Sequence, residues 1–121
     1  MQHSPKFLNL VNSVMPGVRE ISVEETALLA GKPGVVLIDV REDNEWLAGH
    51  AEGAVHLGKG VIERDIESLY PDTTTPLLCY CGGGYRSALV ADTLQKMGYT
   101  NVQSLIGGFK AWSEAGLPTE L

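Results

Sequence analysis

The chain is poor in the residue types that staple small domains together. It has two cysteines in 121 residues, Cys79 and Cys81, and three histidines, His3, His50 and His56. Two cysteines one residue apart cannot join distant segments, and disulfide geometry would strain a bridge between them. Zinc calls for four protein ligands, or three plus water, and these cysteines and histidines have no such spacing. Aromatic residues make up 7%, and 9 lysines and arginines face 15 aspartates and glutamates. The resulting net charge of −6 argues against nucleic acid or an anionic membrane as partner. The longest aliphatic run, VVLI at 35–38, falls far short of the ~20 residues that span a bilayer. The opening MQHSPKFLNLVNSV lacks the charged flank and apolar stretch of a secretory signal. Repeats, low-complexity tracts and charge blocks are absent. The expectation is one globular, cytoplasmic domain, with 44% hydrophobic residues to fill a single core.

What is present alternates between strand-like and helix-like patterns. Residues 18–21 read as a first strand. Ser22 and Glu25 then form a capping signature for a helix that stops at Gly31, with Pro33 beyond. VVLID (35–39) is apolar on both faces, as a strand inside a parallel sheet should be. DNEWLAG gives a short helical turn to Gly49, and AVHL (54–57) a short strand. Ile62, Ile66 and Leu69 mark one helix face that Pro71 closes. PLLCY is a buried strand, Val90, Ala91, Leu94 and Met97 a helical stripe ending at Gly98, and NVQSLI a last strand. Phe109 and Trp112 sit on a final helix ending near Gly116. The order predicts an α/β domain with a central, mainly parallel sheet and helices on both faces, over residues 18–121. Residues 1–17 form a helical extension, in which Phe7, Leu10, Val11 and Val14 fall at helical spacing and cover core surface.

The chemistry concentrates where PLLCY ends. Ligands of such folds bind beyond the carboxyl ends of the strands. There Cys81 leaves the strand into Gly82, Gly83 and Gly84, followed by Tyr85, Arg86 and Ser87. Glycines let successive backbone N–H groups curl into an anion-binding nest, and a helix starting near Arg86 or Ser87 aims its positive end at the same point. Both favour a thiolate, the reactive form of cysteine. The same cradle suits a persulfide, a phosphate or an oxyanion, and the competing reading is an ordinary glycine turn after a buried cysteine. Cys79 lies inside the apolar strand, where burial makes a thiol inert, so Cys81 is the candidate nucleophile.

Several separated features then resemble the single-domain rhodaneses. They are Asp39-Val40-Arg41, Glu45-Trp46, Gly49-His50 with Gly53-Ala54, Cys81 through Arg86-Ser87, and Gly107-Gly108 before Phe109 and Trp112. The resemblance covers about residues 18–117 and implies a rhodanese-like fold. It also implies a sulfurtransferase in which Cys81 takes a sulfane sulfur from thiosulfate or a persulfide and passes it to cyanide or a thiol. Gly82, Gly83, Gly84, Tyr85 and Arg86 would bind the substrate, with Asp39, Arg41 and Ser87 in support. No cofactor or metal is called for, and a sulfur-relay protein is a further candidate partner. Related phosphatases place five residues between cysteine and arginine; only four separate Cys81 from Arg86 here. Phosphatase or arsenate reductase chemistry and a docking module without turnover remain as alternatives.

Individual side chains have two readings each. Arg86 either forks onto an anion or ties the loop to a carboxylate such as Glu45, and the second is preferred. Asp39 serves the chemistry or, preferably, bonds the neighbouring loop. Arg41 either attracts an anionic donor or lies on the surface. His50 belongs to a structural turn, and Trp46 and Trp112 to the core. With no lysine or arginine from Gly82 to Tyr85, little charge is in sight to hold the sulfonate of thiosulfate.

Overall fold

The computed structural model describes residues 3–121. Helix α1 (Pro5–Val14) and a 3-10 turn (Met15–Gly17) lead into β1 (Arg19–Ile21) and α2 (Val23–Leu29). Next come β2 (Val36–Asp39), α3 (Asp43–Leu47), β3 (His50–Ala51), β4 (Val55–His56) and α4 (Ile62–Leu69). The chain closes with β5 (Leu77–Tyr80), α5 (Tyr85–Lys96), β6 (Val102–Leu105), α6 (Gly108–Glu114) and β7 (Thr119–Glu120). Among the described residues, no helix is long and apolar enough to cross a membrane.

Five strands form a parallel sheet in the order β1-β6-β5-β2-β4, so β5 is its middle strand. The period-2 alternation of strand side chains sorts the core into two layers. Ile38, Leu77, Cys79 and Val102 face one side, where Ile62, Ile66, Val90, Ala91 and Leu94 of α4 and α5 cover them. Leu37, Leu78, Tyr80 and Leu105 face the other, under Trp112 of α6, with Val23 and Leu29 of α2 packed alongside. Both sheet faces are buried, which explains why VLID and LLCY are apolar at every step but the last.

Local sequence set most element ends. The Ser22 hydroxyl accepts from the Glu25 N–H at 3.1 Å and caps α2. Glu25 answers by contacting the Ser22 hydroxyl at 3.4 Å, where the capping signature predicts a backbone contact. A fuller capping box stands at α3, where Glu42 and Glu45 close the helix start reciprocally. Three stripes are narrower than their spacing implies. Leu69, Met97 and Leu10 are 54%, 39% and 53% exposed, because each lies in the last turn or on the flank of its helix. Only Val11 of α1 is buried.

The pairing of β3 with β7 lies outside the parallel scheme. His50 opposes Glu120 and Ala51 opposes Thr119, antiparallel. Two-residue strands carry no periodicity, so neither is visible in the sequence as a pair.

Candidate active site

Cys81 sits one residue past the carboxyl end of β5, at the centre of the sheet edge. It is buried, and its sulfur is held from the loop that follows. The Gly84 N–H donates to Cys81 Sγ at 3.1 Å and the Ser87 N–H at 3.4 Å. The Ser87 hydroxyl lies 3.6 Å from the same sulfur and 2.8 Å from the Ser104 hydroxyl on β6. Helix α5 starts at Tyr85, one residue earlier than expected, and its N-cap Gly84 has φ 104°. Only glycine takes that conformation readily. A Cβ there would also come 3.3 Å from the Gly107 nitrogen.

The loop is braced from behind by the start of α6. Phe109 N–H donates to the Cys81 carbonyl at 2.7 Å, and Lys110 N–H to the Gly82 carbonyl at 3.2 Å. This close approach needs Gly108, whose Cβ would run into the Cys81 carbonyl oxygen.

The second cysteine behaves as its strand position predicts. Cys79 is fully buried, and burial, reinforced by neighbouring Cys81, pushes its thiol up to about 12. Both cysteines are free.

Arg86 takes the structural role preferred from the sequence. Its Nη1 and Nη2 donate to Glu45 Oε1 and Oε2 at 2.7 and 3.0 Å. That pairing outweighs burial and holds the Glu45 carboxyl below the usual range. The same Oε1 accepts from Glu42 N–H at 3.1 Å, so one carboxylate caps α3 and anchors the loop after Cys81.

The reading of Arg41 needs a correction. Arg41 neither reaches the Cys81 cleft nor lies on the surface. It is buried, with its backbone N–H, Nε and Nη2 on the Asp39 carboxylate at 2.8–3.1 Å and Nη2 also on the Gly49 carbonyl at 2.7 Å. Its guanidinium covers the Phe109 ring at 4.3 Å. Tyr80 completes the knot: its hydroxyl donates to Asp39 at 2.6 Å and accepts from Ala51 N–H at 3.1 Å. Burial first, and then the Asp39 carboxylate, raises the Tyr80 phenol, keeping it a proton donor. Burying an ion pair is costly unless its polar atoms are matched, and among the described residues no fully buried side-chain nitrogen or oxygen lacks a hydrogen-bond partner. Asp39 bonds its neighbouring loop as preferred. These two residues therefore join β2 to the turn at Gly49 and to β5, behind the site.

His50 is also structural. Its Nδ1 contacts the Trp46 carbonyl at 3.1 Å, and its ring stacks on Trp46 at 3.4 Å with an interplanar angle of 3°. Trp46 is half-buried in that stack, with His56 on it as well at 4.8 Å. Trp112 is in the core, its Nε1–H on the Pro118 carbonyl at 2.8 Å.

Cys81 opens onto a cleft of about 1010 Å³. The loop glycines Gly82 and Gly83 and the Arg86–Glu45 pair form one side. Lys110 of α6 and the aromatic residues His3, Phe7 and Tyr85 form the rest. Lys110, His3 and Phe7 are not legible as site residues in the sequence. Lys110 belongs to the stretch GGFKAW, and only the placement of β6 beside β5 brings it to the loop.

A family model described as "Rhodanese-like domain" matches residues 22–115. The chain belongs to the rhodanese-like family. Curated relatives include thiosulfate sulfurtransferase GlpE of Actinobacillus succinogenes, 36% identical, with 84% of this chain and 89% of the relative covered. GlpE of Pseudomonas entomophila is 35% identical over 81% of this chain and 87% of its own. Among solved structures, the polysulfide-sulfur transferase homodimer of Wolinella succinogenes superposes with TM-score 0.78 at 26% identity, covering 95% of this chain and 87% of that one. A Rhodopseudomonas palustris protein of unknown function, described as a possible tyrosine phosphatase, gives TM-score 0.87 at 27% identity, with 99% of each chain covered. Family and curated relatives together place this rhodanese-like domain among the rhodanese-type sulfurtransferases.

Proposed function

We propose that Cys81 carries a sulfane sulfur between two small molecules. The Cys81 thiolate attacks the outer sulfur of thiosulfate or of a persulfide, forming a Cys81 persulfide and releasing sulfite or a thiolate. Cyanide or a thiolate then attacks the terminal sulfur, leaving as thiocyanate or a new persulfide and restoring the Cys81 thiolate. No electrons enter or leave overall, so the cycle needs no cofactor. The observation that carries the reading is the pair of backbone donors on Cys81 Sγ, from Gly84 and Ser87, at the floor of an open cleft. Donors already aimed at a sulfur anion stabilise negative charge without reorganising during the reaction. Gly82, Gly83, Gly84, Tyr85 and Arg86 shape the loop that would receive the donor, and Ser87 supports the sulfur directly. Asp39 and Arg41 support it through the frame alone. A free reactive thiol suits a reducing compartment, which favours the cytoplasm.

The test is intact-protein mass spectrometry after incubation with thiosulfate, followed by peptide mapping. Gain of one sulfur atom on Cys81, reversed by cyanide with thiocyanate release, is the expected result. Cys81→Ser should stay folded and gain none. A folded parent that gains no sulfur from thiosulfate or from a small persulfide refutes the proposal.

The phosphatase reading gains a foothold from the structural neighbour described as a possible tyrosine phosphatase. Against it stand the four-residue spacing from Cys81 to Arg86 and the commitment of both Arg86 Nη groups to Glu45. An arginine so engaged does not present its fork to a phosphate ester. Hydrolysis of an aryl phosphate, abolished in Cys81→Ser, would reverse that judgement.

A further inference from the structure

The cleft above Cys81 is lined unequally. Arg86 is neutralised by Glu45, so the charge it offers a donor is small. Lys110, on another wall, is in none of the ion pairs formed among the described residues. The remaining wall is aromatic. His3 lies edge-on to Tyr85 at 4.8 Å and tilted against Phe7 at 5.3 Å, and Phe7 meets Tyr85 edge-on at 6.4 Å. These are favourable aromatic geometries, so the three rings hold one another in place before any ligand arrives.

Two of those rings come from outside the family's shared core. The family match begins at residue 22, whereas His3 and Phe7 belong to the segment that carries α1. Val11, one helical turn after Phe7, is buried and fixes α1 on the domain. Among the described residues, the ring inside the match that His3 and Phe7 meet is Tyr85, the first residue of α5, four positions from Cys81. An inorganic sulfur anion needs none of this apolar surface. A cleft of about 1010 Å³ has the size of sites for whole organic molecules, ~300–1,000 Å³.

The geometry points to His3, Phe7 and Tyr85 as specificity-determining residues for an organic sulfur donor. That donor carries its sulfane sulfur on an apolar, preferably aromatic, group. The inference rests on sulfur transfer through Cys81 and narrows its substrate class. An organic thiosulfonate, R–SO2–S⁻, illustrates the step. The Cys81 thiolate bonds to the outer sulfur, the bond from that sulfur to the sulfonyl group breaks, and the electron pair leaves with the sulfinate R–SO2⁻. R rests on the rings, and the departing sulfinate lies within the field of Lys110.

The experiment compares benzenethiosulfonate with methanethiosulfonate as donors, cyanide as acceptor, on the full chain. The two share the reacting atoms and differ in R. The parent should prefer the aryl donor by about tenfold in kcat/KM, the worth of one to two aromatic contacts. Phe7→Ala and Tyr85→Ala should each pull the aryl-to-methyl ratio down by about fivefold. Phe7→Leu keeps α1 packed while removing the ring, and should lower the ratio too. A parent ratio near one, or a ratio unmoved in folded Phe7→Leu and Tyr85→Ala, overturns the inference and leaves sulfur transfer standing. A parent that takes sulfur from neither donor nor from thiosulfate overturns both.

Discussion

Replacing Glu45 with glutamine tests how the loop after Cys81 is anchored. The carboxylate accepts from Arg86 Nη1 and Glu42 N–H through Oε1 and from Arg86 Nη2 through Oε2. An amide keeps one acceptor oxygen and turns an NH2 group towards the guanidinium. Buried hydrogen bonds to charged groups contribute ~1.5–3 kcal/mol and exposed ion pairs ~0–1 kcal/mol. Arg86 and Glu45 side chains are 31% and 30% exposed, so Glu45→Gln should cost about 1–2 kcal/mol, between the two limits. In a domain of this size that is a melting point about 4–8 °C lower. The dependence on pH supplies a second check. Arg86 holds the folded Glu45 carboxyl below its ordinary range. Its contribution is therefore complete above the unfolded value of ~4.3 and disappears as pH falls through the lowered folded value. Urea titrations followed by circular dichroism should show a gap between parent and Glu45→Gln at pH 7 that closes on the way into acid. Coincident midpoints at neutral pH, or a gap that survives acidification unchanged, would refute this account of the anchor.

Other perturbations follow from the same geometry. Cys79→Ala removes one buried sulfur and should lower stability by ~1 kcal/mol, with sulfur loading kept. With Cys79 pushed up to about 12, alkylation of the folded parent near pH 8 should label Cys81 alone, read by peptide mass. A Cβ at Gly83 would meet nothing within 4 Å, and the backbone there is not left-handed, so Gly83→Lys should fold and add a cation beside the cleft. The gain is ~1 kcal/mol, about fivefold in KM for thiosulfate, and added salt should erase most of it. Gly82→Lys is the contrast: its Cβ would press on Arg86 Nη2 at 3.2 Å, so steady-state kinetics should show a smaller gain or none. Gly108→Ala drives a methyl into the Cys81 carbonyl at φ 56°. A stability loss of ~3 kcal/mol is expected, with slower Cys81 alkylation in whatever remains folded.

The alternation of apolar runs with capped helices makes the sheet and both helical layers legible, because each signal is local. Cys81 is legible for the same reason: strand, cysteine, glycines and helix start are consecutive. Contacts that depend on strand order are not. Lys110 and Ser104 reach the loop only because β6 lies beside β5, and the β3–β7 pairing spans most of the chain in two-residue pieces. Arg41 is misread from sequence because a sequence shows a charge and hides its partner. An arginine two residues after a buried aspartate folds back on it, and the surface reading fails. The spacing of Phe7 with Val11 puts both in one core stripe. That spacing is real, but the top of α1 overhangs the cleft.

The brace behind Cys81 has a consequence for the order in which the protein is made. Synthesis runs from the N-terminus, so Cys81 and its glycines emerge before the segment that fixes them. A nascent chain that has just exposed Cys81 lacks the Ser104 hydroxyl beside Ser87, and it lacks the Phe109 and Lys110 N–H groups that grip the Cys81 and Gly82 carbonyls. The middle strand of the sheet also waits for β6 to close its second edge. The thiol can be held for reaction only after nearly the whole domain has left the ribosome and docked. Folding thus acts as a timer on the site: an unfinished chain presents an ordinary cysteine, and the one held in its finished loop arrives last.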